Sequence, residues 1–133
     1  MTHILITDDN SAYRATVIDI LTMEGYDIFE ASDGQQALAI IQREPVDLVL
    51  CDLNMPLLNG LDLLVWLRDQ PRYRHIPFIL LTGQADAALL KRGEELAVDA
   101  YMLKPVDIPA LLLRIKQILA RPPGDMTPGD EQG

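Results

Sequence analysis

Asp52 stands in the stretch Cys51-Asp52-Leu53-Asn54-Met55-Pro56, which follows an apolar run, Val46 to Leu50. Such a run reads as a buried strand, and Pro56 cannot extend it, because proline lacks a backbone donor and fixes φ. Three further polar sites stand at the ends of similar runs: Asp8-Asp9, Thr82 and Lys104-Pro105. Three carboxylates crowded into one crevice repel one another unless a cation neutralises them. Mg²⁺ (or Mn²⁺) suits that task, since such ions prefer oxygen ligands and Mg²⁺ keeps several waters, so that two carboxylates and a backbone carbonyl suffice. Asp52 is then a candidate nucleophile toward a phosphoryl group, because carboxylates form aspartyl-phosphates. A lysine and a hydroxyl beside it would bind the remaining phosphoryl oxygens, and Lys104 and Thr82 are the candidates.

Strand and helix patterns alternate along the chain. His3–Thr7 is strand-like; Asn10–Glu24 carries Tyr13, Val17, Ile20 and Leu21 at helical spacing and stops at Gly25. Tyr26–Ala31 reads as the second strand. Asp33 caps the next helix, with Gln36 resembling the far half of a capping box, and Pro45 follows that helix. The third strand is Val46–Asp52. Asn59 caps a helix through Leu61, Leu64 and Leu67; Pro77–Thr82 is the fourth strand. Asp86–Leu96 reads as a helix weakened by Gly93, Asp99–Leu103 as a short fifth strand and Asp107–Ala120 as the last helix.

Five such units with short links imply an α/β fold with a parallel sheet covered on both faces. A doubly wound sheet of order 2-1-3-4-5 has its switch point between strands one and three. Asp8-Asp9 and Asp52 end those two strands, so the acids meet at the crevice the fold rule predicts.

The chain has 133 residues, 49% of them hydrophobic and 23% charged, with a net charge of −9. One globular domain over residues 1–121 is expected, with the Pro- and Gly-rich residues 122–133 read as a disordered tail or the start of a linker. The acidic balance argues against direct nucleic-acid binding. No apolar stretch reaches the length of a membrane span, and the N-terminus runs into Ile4-Leu5-Ile6 without a signal-peptide pattern. The one cysteine, Cys51, cannot form an internal disulfide and reads as a core thiol; His3 and His75 read as surface or strand-edge residues, apart from each other and from the acids, and Trp66 as helix packing.

Taken singly, each polar residue has a structural explanation: acids favour a helix start, Asp52 and Asn54 suit a turn, Thr82 suits a strand end, and a lysine is usually solvated. Taken together, their order and spacing over roughly residues 3–120 resemble the response-regulator receiver domain of two-component signalling, with its flavodoxin-like (CheY-like) fold. The resemblance implies that Asp8 and Asp9 hold Mg²⁺, that Asp52 is the phosphoacceptor and that the Asn54 carbonyl is a further metal ligand. It makes Thr82 the switch hydroxyl, Tyr101 the switch aromatic and Lys104 the partner of a phosphoryl oxygen, with a cis bond to Pro105. Met55, Pro56 and Gly60 match the loop after the phosphorylation site. Asn54 and Gln84 occupy the positions that tune attack by water on the phosphoryl group, which gives an expected lifetime of seconds to minutes. The chain departs from the pattern at Gly83, where the family usually has Ala, and at Leu96-Ala97, where Gly-Ala is common.

The family implies a sensor histidine kinase or phosphotransfer protein upstream, a downstream protein or linked effector domain, and a cytoplasmic location. It makes the protein an enzyme only toward its own phosphorylation and dephosphorylation. Leu113 falls off the apolar face made by Ile108, Leu111, Leu112, Ile115 and Leu119. It thereby points to output or homodimerisation through the fourth helix, fifth strand and last helix. Three rivals stand beside this reading. A haloacid-dehalogenase-type phosphatase would want an Asp where Asn54 stands, and a flavin module would want a hydroxyl- and glycine-rich loop where Asp8-Asp9-Asn10 stands. A degenerate receiver would serve as a phosphorylation-independent interaction module.

Overall fold

The computed structural model describes residues 2–83 and 87–121. Its elements are β1 (His3–Thr7), α1 (Ser11–Met23), β2 (Asp27–Ala31), α2 (Gly34–Arg43), β3 (Leu48–Asp52), α3 (Gly60–Asp69), β4 (Phe78–Thr82), α4 (Ala87–Glu95), β5 (Ala100–Leu103) and α5 (Ile108–Leu119). The sheet is parallel throughout, in the order β2-β1-β3-β4-β5, as the alternating pattern predicts. The expected tail at 122–133, Gln84 and the expected helix start at Asp86 lie outside the described residues.

Alternation along the strands builds two apolar layers. Leu5, Val49, Cys51, Phe78 and Leu80 face α2 and α3, where they meet Ala37, Ile41, Leu63, Leu64 and Leu67. Ile4, Ile6, Leu48, Leu50, Ile79 and Leu81 face α1 and α5, against Val17, Leu21, Leu111, Ile115 and Ile118. Cys51 is fully buried in the first layer, and Trp66 stacks on Tyr73 at its edge. On α5 the buried residues are Leu111, Ile115 and Ile118, while Leu112 and Leu119 sit at the rim. Ile118 was absent from the expected face, although the spacing 111, 115, 118 is the tighter helical stripe.

Several strands begin later than their apolar runs. Tyr26, Val46 and Pro77 continue the pattern but precede the first paired residues, Asp27, Leu48 and Phe78. Apolar character reports burial, whereas a strand ends where its ladder ends.

Helix starts are set by side chains that accept orphan backbone donors. Asn10, Asp33, Asn59 and Asp107 each accept the N–H three residues on. The reciprocal half of the box expected at Gln36 goes elsewhere: Gln36 Oε1 accepts the N–H and hydroxyl of Ser32, one residue before the cap. A complete capping box forms instead at α3, between Asn59 and Asp62.

Helices α1 and α4 end in the same way. Gly25 N–H donates to Thr22 and Tyr26 N–H to Leu21; likewise Ala97 N–H donates to Glu94 and Val98 N–H to Gly93. These paired bonds form the Schellman arrangement, whose central residue is left-handed. Gly25 has φ +95, which glycine adopts freely, but Ala97 occupies the equivalent place at φ 59. His3 lies between two carboxylates, 3.6 Å from Asp27 and 3.6 Å from Asp47, so it is not apart from acids; it is apart from those at the carboxyl end of the sheet.

Candidate functional site

The carboxyl ends of β1, β3 and β5 bring four of the predicted residues into one group. Asp8 follows β1 and is 2% exposed; Asp52 ends β3 and is 6% exposed; Asp9 is exposed beside them. Oxygens of Asp8, Asp9 and Asp52 lie within 4.8 Å of one another. Lys104, after β5, places Nζ 2.7 Å from Asp8 Oδ2 and 3.5 Å from Asp52 Oδ2. The Lys104–Pro105 bond is cis.

Backbone contacts fix this geometry. Asp8 N–H donates to the Ala31 carbonyl at 3.1 Å, and Asp8 Oδ1 accepts Asn10 N–H at 2.9 Å. Leu53 N–H donates to Leu81, and Lys104 N–H donates to Thr82, both at 2.7 Å. The residues after Asp52 and after β5 are thereby tied to β4. Gly60 comes so close to the carbonyl of Asp52 that a Cβ there would lie 2.6 Å from it.

Burial pushes the Asp52 carboxyl up, and Asp8 adds to the rise; Lys104 and the Asn54 N–H, which bonds the carboxylate, oppose it. Burial also works against the Lys104 charge, but the hydrogen bond to Asp8 and the charges of Asp52 and Asp8 outweigh it, so the amine is raised. A carboxylate pair held against one ammonium, with a third acid at the rim, is a hard-oxygen donor set. It fits Mg²⁺ or Mn²⁺ better than soft or nitrogen-seeking metals.

Thr82 is fully buried at the last residue of β4. Tyr101, on β5, pairs in register with Leu80 and is half-buried against the α2/α3 layer. Asn54 is exposed in the loop after β3, and Gln84 lies outside the described residues.

Two residues at the site were not read as such from sequence. Tyr13, taken as one of the apolar positions of α1, carries its ring 4.4 Å from Lys104 Nζ. Arg14 donates from NH1 to the Asp8 carbonyl and from Nε to Glu30 at 3.0 Å. The available signal was position: the first turn of a helix that follows β1 stands over the carboxyl end of the sheet.

Residues 4–116 match the model of the response regulator receiver domain. The chain is 36% identical over 119 residues to the aerobic respiration control protein ArcA of Escherichia coli, covering 90% of this chain and 49% of that protein. It is 34% identical over 116 residues to a probable chemotaxis protein CheY of Rhizobium etli, covering 86% of this chain and 90% of the other. Among solved structures, a putative response regulator from Chloroflexus aurantiacus superposes with a TM-score of 0.85 at 31% identity, covering 90% of this chain and 98% of that one. A CheY-like receiver domain protein from Methanospirillum hungatei gives 0.84 at 32%, covering 90% and 94%. The chain spans about half the length of several transcriptional regulators it matches. With the fold, the strand-end residues and the family match in agreement, the chain belongs to the response regulator receiver domains of two-component systems.

Proposed function

We propose that this receiver takes a phosphoryl group from a phosphohistidine of a sensor histidine kinase or phosphotransfer protein onto Asp52. The observation that carries the reading is the convergence of Asp8, Asp9, Asp52 and Lys104 at the switch point of the sheet. An Asp52 oxygen attacks phosphorus, the P–N bond breaks, and its electron pair stays with the departing imidazole. The Lys104 ammonium faces the incoming negative charge, and Thr82, buried at the end of the neighbouring strand, carries the switch hydroxyl of this reading. Asp8, Asp9, Asp52 and the Asn54 carbonyl would hold Mg²⁺ or Mn²⁺, which when bound offsets the charge of the phosphoryl group. Asn54 offers an amide that orients water without accepting a proton, consistent with a phosphoryl lifetime of seconds to minutes.

Phosphorylation then biases an existing equilibrium between two conformations, read out around Thr82, Tyr101, α4, β5 and α5. A groove of ≈ 290 Å³ lined by Tyr101, Met102, Leu113 and Arg114, with Leu113 57% exposed, supports this face as an output or homodimer surface. The protein acts as an enzyme only on itself. Asn54, where a haloacid-dehalogenase-type phosphatase would need an acid–base Asp, weighs against that alternative. The acidic net charge supports protein partners over nucleic acid. Among the described residues no helix is long and apolar enough to cross a membrane, in keeping with a cytoplasmic receiver.

The test is intact mass after incubation with Mg²⁺ and acetyl phosphate or phosphoramidate, for the wild type and Asp52→Asn. One added phosphoryl group in the wild type alone is expected. No addition, with Mg²⁺ binding shown separately, would point to a degenerate receiver that works by docking alone.

A further inference from the structure

Lys104 has a long, flexible stem, and its ammonium has three donors to place. One meets Asp8 Oδ2 at 2.7 Å, and Asp52 Oδ2 lies at 3.5 Å. Beside the two carboxylates the ammonium has one further neighbour of note, the Tyr13 ring, whose centre stands 4.4 Å from Nζ. An aromatic face attracts an ammonium through its quadrupole, more strongly when water is thinned, and the Lys104 side chain is only 19% exposed.

Tyr13 is itself held in place. It is the third residue of α1, and its N–H donates at 3.0 Å to Oδ1 of the Asn10 cap. Asp8 is tied to the same cap, since its Oδ1 accepts the Asn10 N–H. One short segment thus fixes both the carboxylate that binds the ammonium and the ring that covers it. The Tyr13 hydroxyl is buried and has no hydrogen-bond partner among the described residues. What Tyr13 contributes here is therefore its ring.

We propose that Tyr13 is a positioning residue whose ring face holds the Lys104 ammonium against the Asp8–Asp52 pair. Without the ring, the stem is free to swing its charge toward water and away from Asp52. Part of this inference, the rate, rests on Asp52 being the phosphoacceptor; the placement of Lys104 does not.

The test compares wild type, Tyr13→Phe and Tyr13→Leu, with Tyr13→Met as a second ring-less variant and circular dichroism as the folding control. Nuclear magnetic resonance reads the ε-methylene protons of Lys104. They should lie upfield of the other lysines in the wild type and Tyr13→Phe, and lose that ring-current shift in Tyr13→Leu and Tyr13→Met. Phosphoryl uptake from acetyl phosphate should slow about three- to tenfold in the ring-less variants and stay within about twofold in Tyr13→Phe. An ordinary Lys104 methylene shift in the wild type would overturn the proposal, as would wild-type uptake by Tyr13→Leu. If the wild type takes up no phosphoryl group, the proposed function fails, and the methylene shift alone decides the placement.

Discussion

Arg68, on α3, donates from NH2 at 3.0 Å to the carbonyl of Ala97, the left-handed residue that ends α4. Its Nε bonds the Leu96 carbonyl at 3.0 Å, and its NH1 bonds those of Arg74 and Ile76. One guanidinium thus satisfies four carbonyls, two where α4 turns into β5 and two in the segment that leads into β4. It also faces Asp99 Oδ2 at 3.4 Å, and Asp99 in turn accepts the Phe78 N–H at 2.7 Å and pairs with Arg121. Helix α3, the end of α4, the start of β4 and the end of α5 are joined through two side chains, Arg68 14% and Asp99 6% exposed.

Removing the guanidinium leaves those carbonyls and a buried carboxylate short of donors. Arg68→Gln should therefore lower stability by about 3 kcal/mol or more, and Arg68→Lys should recover only part, since one ammonium cannot match the planar fork. Urea unfolding of the three proteins checks this. A loss under about 1 kcal/mol would put the network at the level of a surface ion pair.

Ala97 carries a left-handed strain that Gly25 avoids at the end of α1. Ala97→Gly should raise stability by about 0.5–1 kcal/mol, the relief of strain exceeding the greater freedom of glycine in the unfolded chain. A thermal midpoint equal to or below that of the wild type would mean that the Arg68 contacts already offset the strain.

Leu57 has φ 70, and Leu58 N–H donates across it to the Pro56 carbonyl at 2.8 Å, a strained three-residue turn. The side chain is 77% exposed, so little burial is at stake. Leu57→Gly should stabilise by about 0.5–1 kcal/mol, because glycine has no Cβ to strain at positive φ. A shifted urea midpoint at unchanged slope is the expected signature.

Most of the fold was legible because it rests on local rules. Apolar runs mark the strands, and the four capping side chains, Asn10, Asp33, Asn59 and Asp107, mark where helices start. The site was legible as far as it depends on strand ends, since β1 and β3 are neighbours at the switch point. What escaped depends on long-range geometry. Arg68 has no local signature, because it bonds carbonyls 28 and 29 residues away. Asp99 reads as a strand start, yet its carboxylate serves β4. Tyr13 has the spacing of a core residue, and only the juxtaposition of α1 with the end of β5 gives its ring another contact.

Gly60 and Gly83 should respond in opposite ways to alanine. A Cβ at Gly60 would lie 2.6 Å from the Asp52 carbonyl, 2.9 Å from Leu80 Cδ1 and 3.0 Å from Leu53 Cα. Two of those atoms are backbone, so Gly60→Ala should cost about 1–3 kcal/mol and, by displacing Asp52, slow phosphoryl uptake. A Cβ at Gly83 meets nothing within 4 Å, so Gly83→Ala should be neutral or stabilising by up to about 1 kcal/mol. Equal responses of the two variants would contradict the close packing of α3 onto β3.

Burial first, and Asp8 besides, raise the Asp52 carboxyl above its ordinary value against the pull of Lys104. The folded state therefore keeps its proton at pH values where the unfolded chain has lost it. Between the unfolded and the folded pKa the native state binds more protons, so stability falls as pH rises through that window. Above the window the full cost of the buried charge is present; below it the cost disappears. Asp52→Asn removes the charge at every pH. In EDTA, so that no divalent cation offsets the charge, Asp52→Asn should exceed the wild type in stability at pH 7. That advantage should shrink as pH falls toward the ordinary carboxylate range. Urea midpoints of both proteins across that range supply the measurement. A variant less stable than the wild type at pH 7, or an advantage that does not change with pH, would mean that Lys104 fully compensates the buried carboxylate.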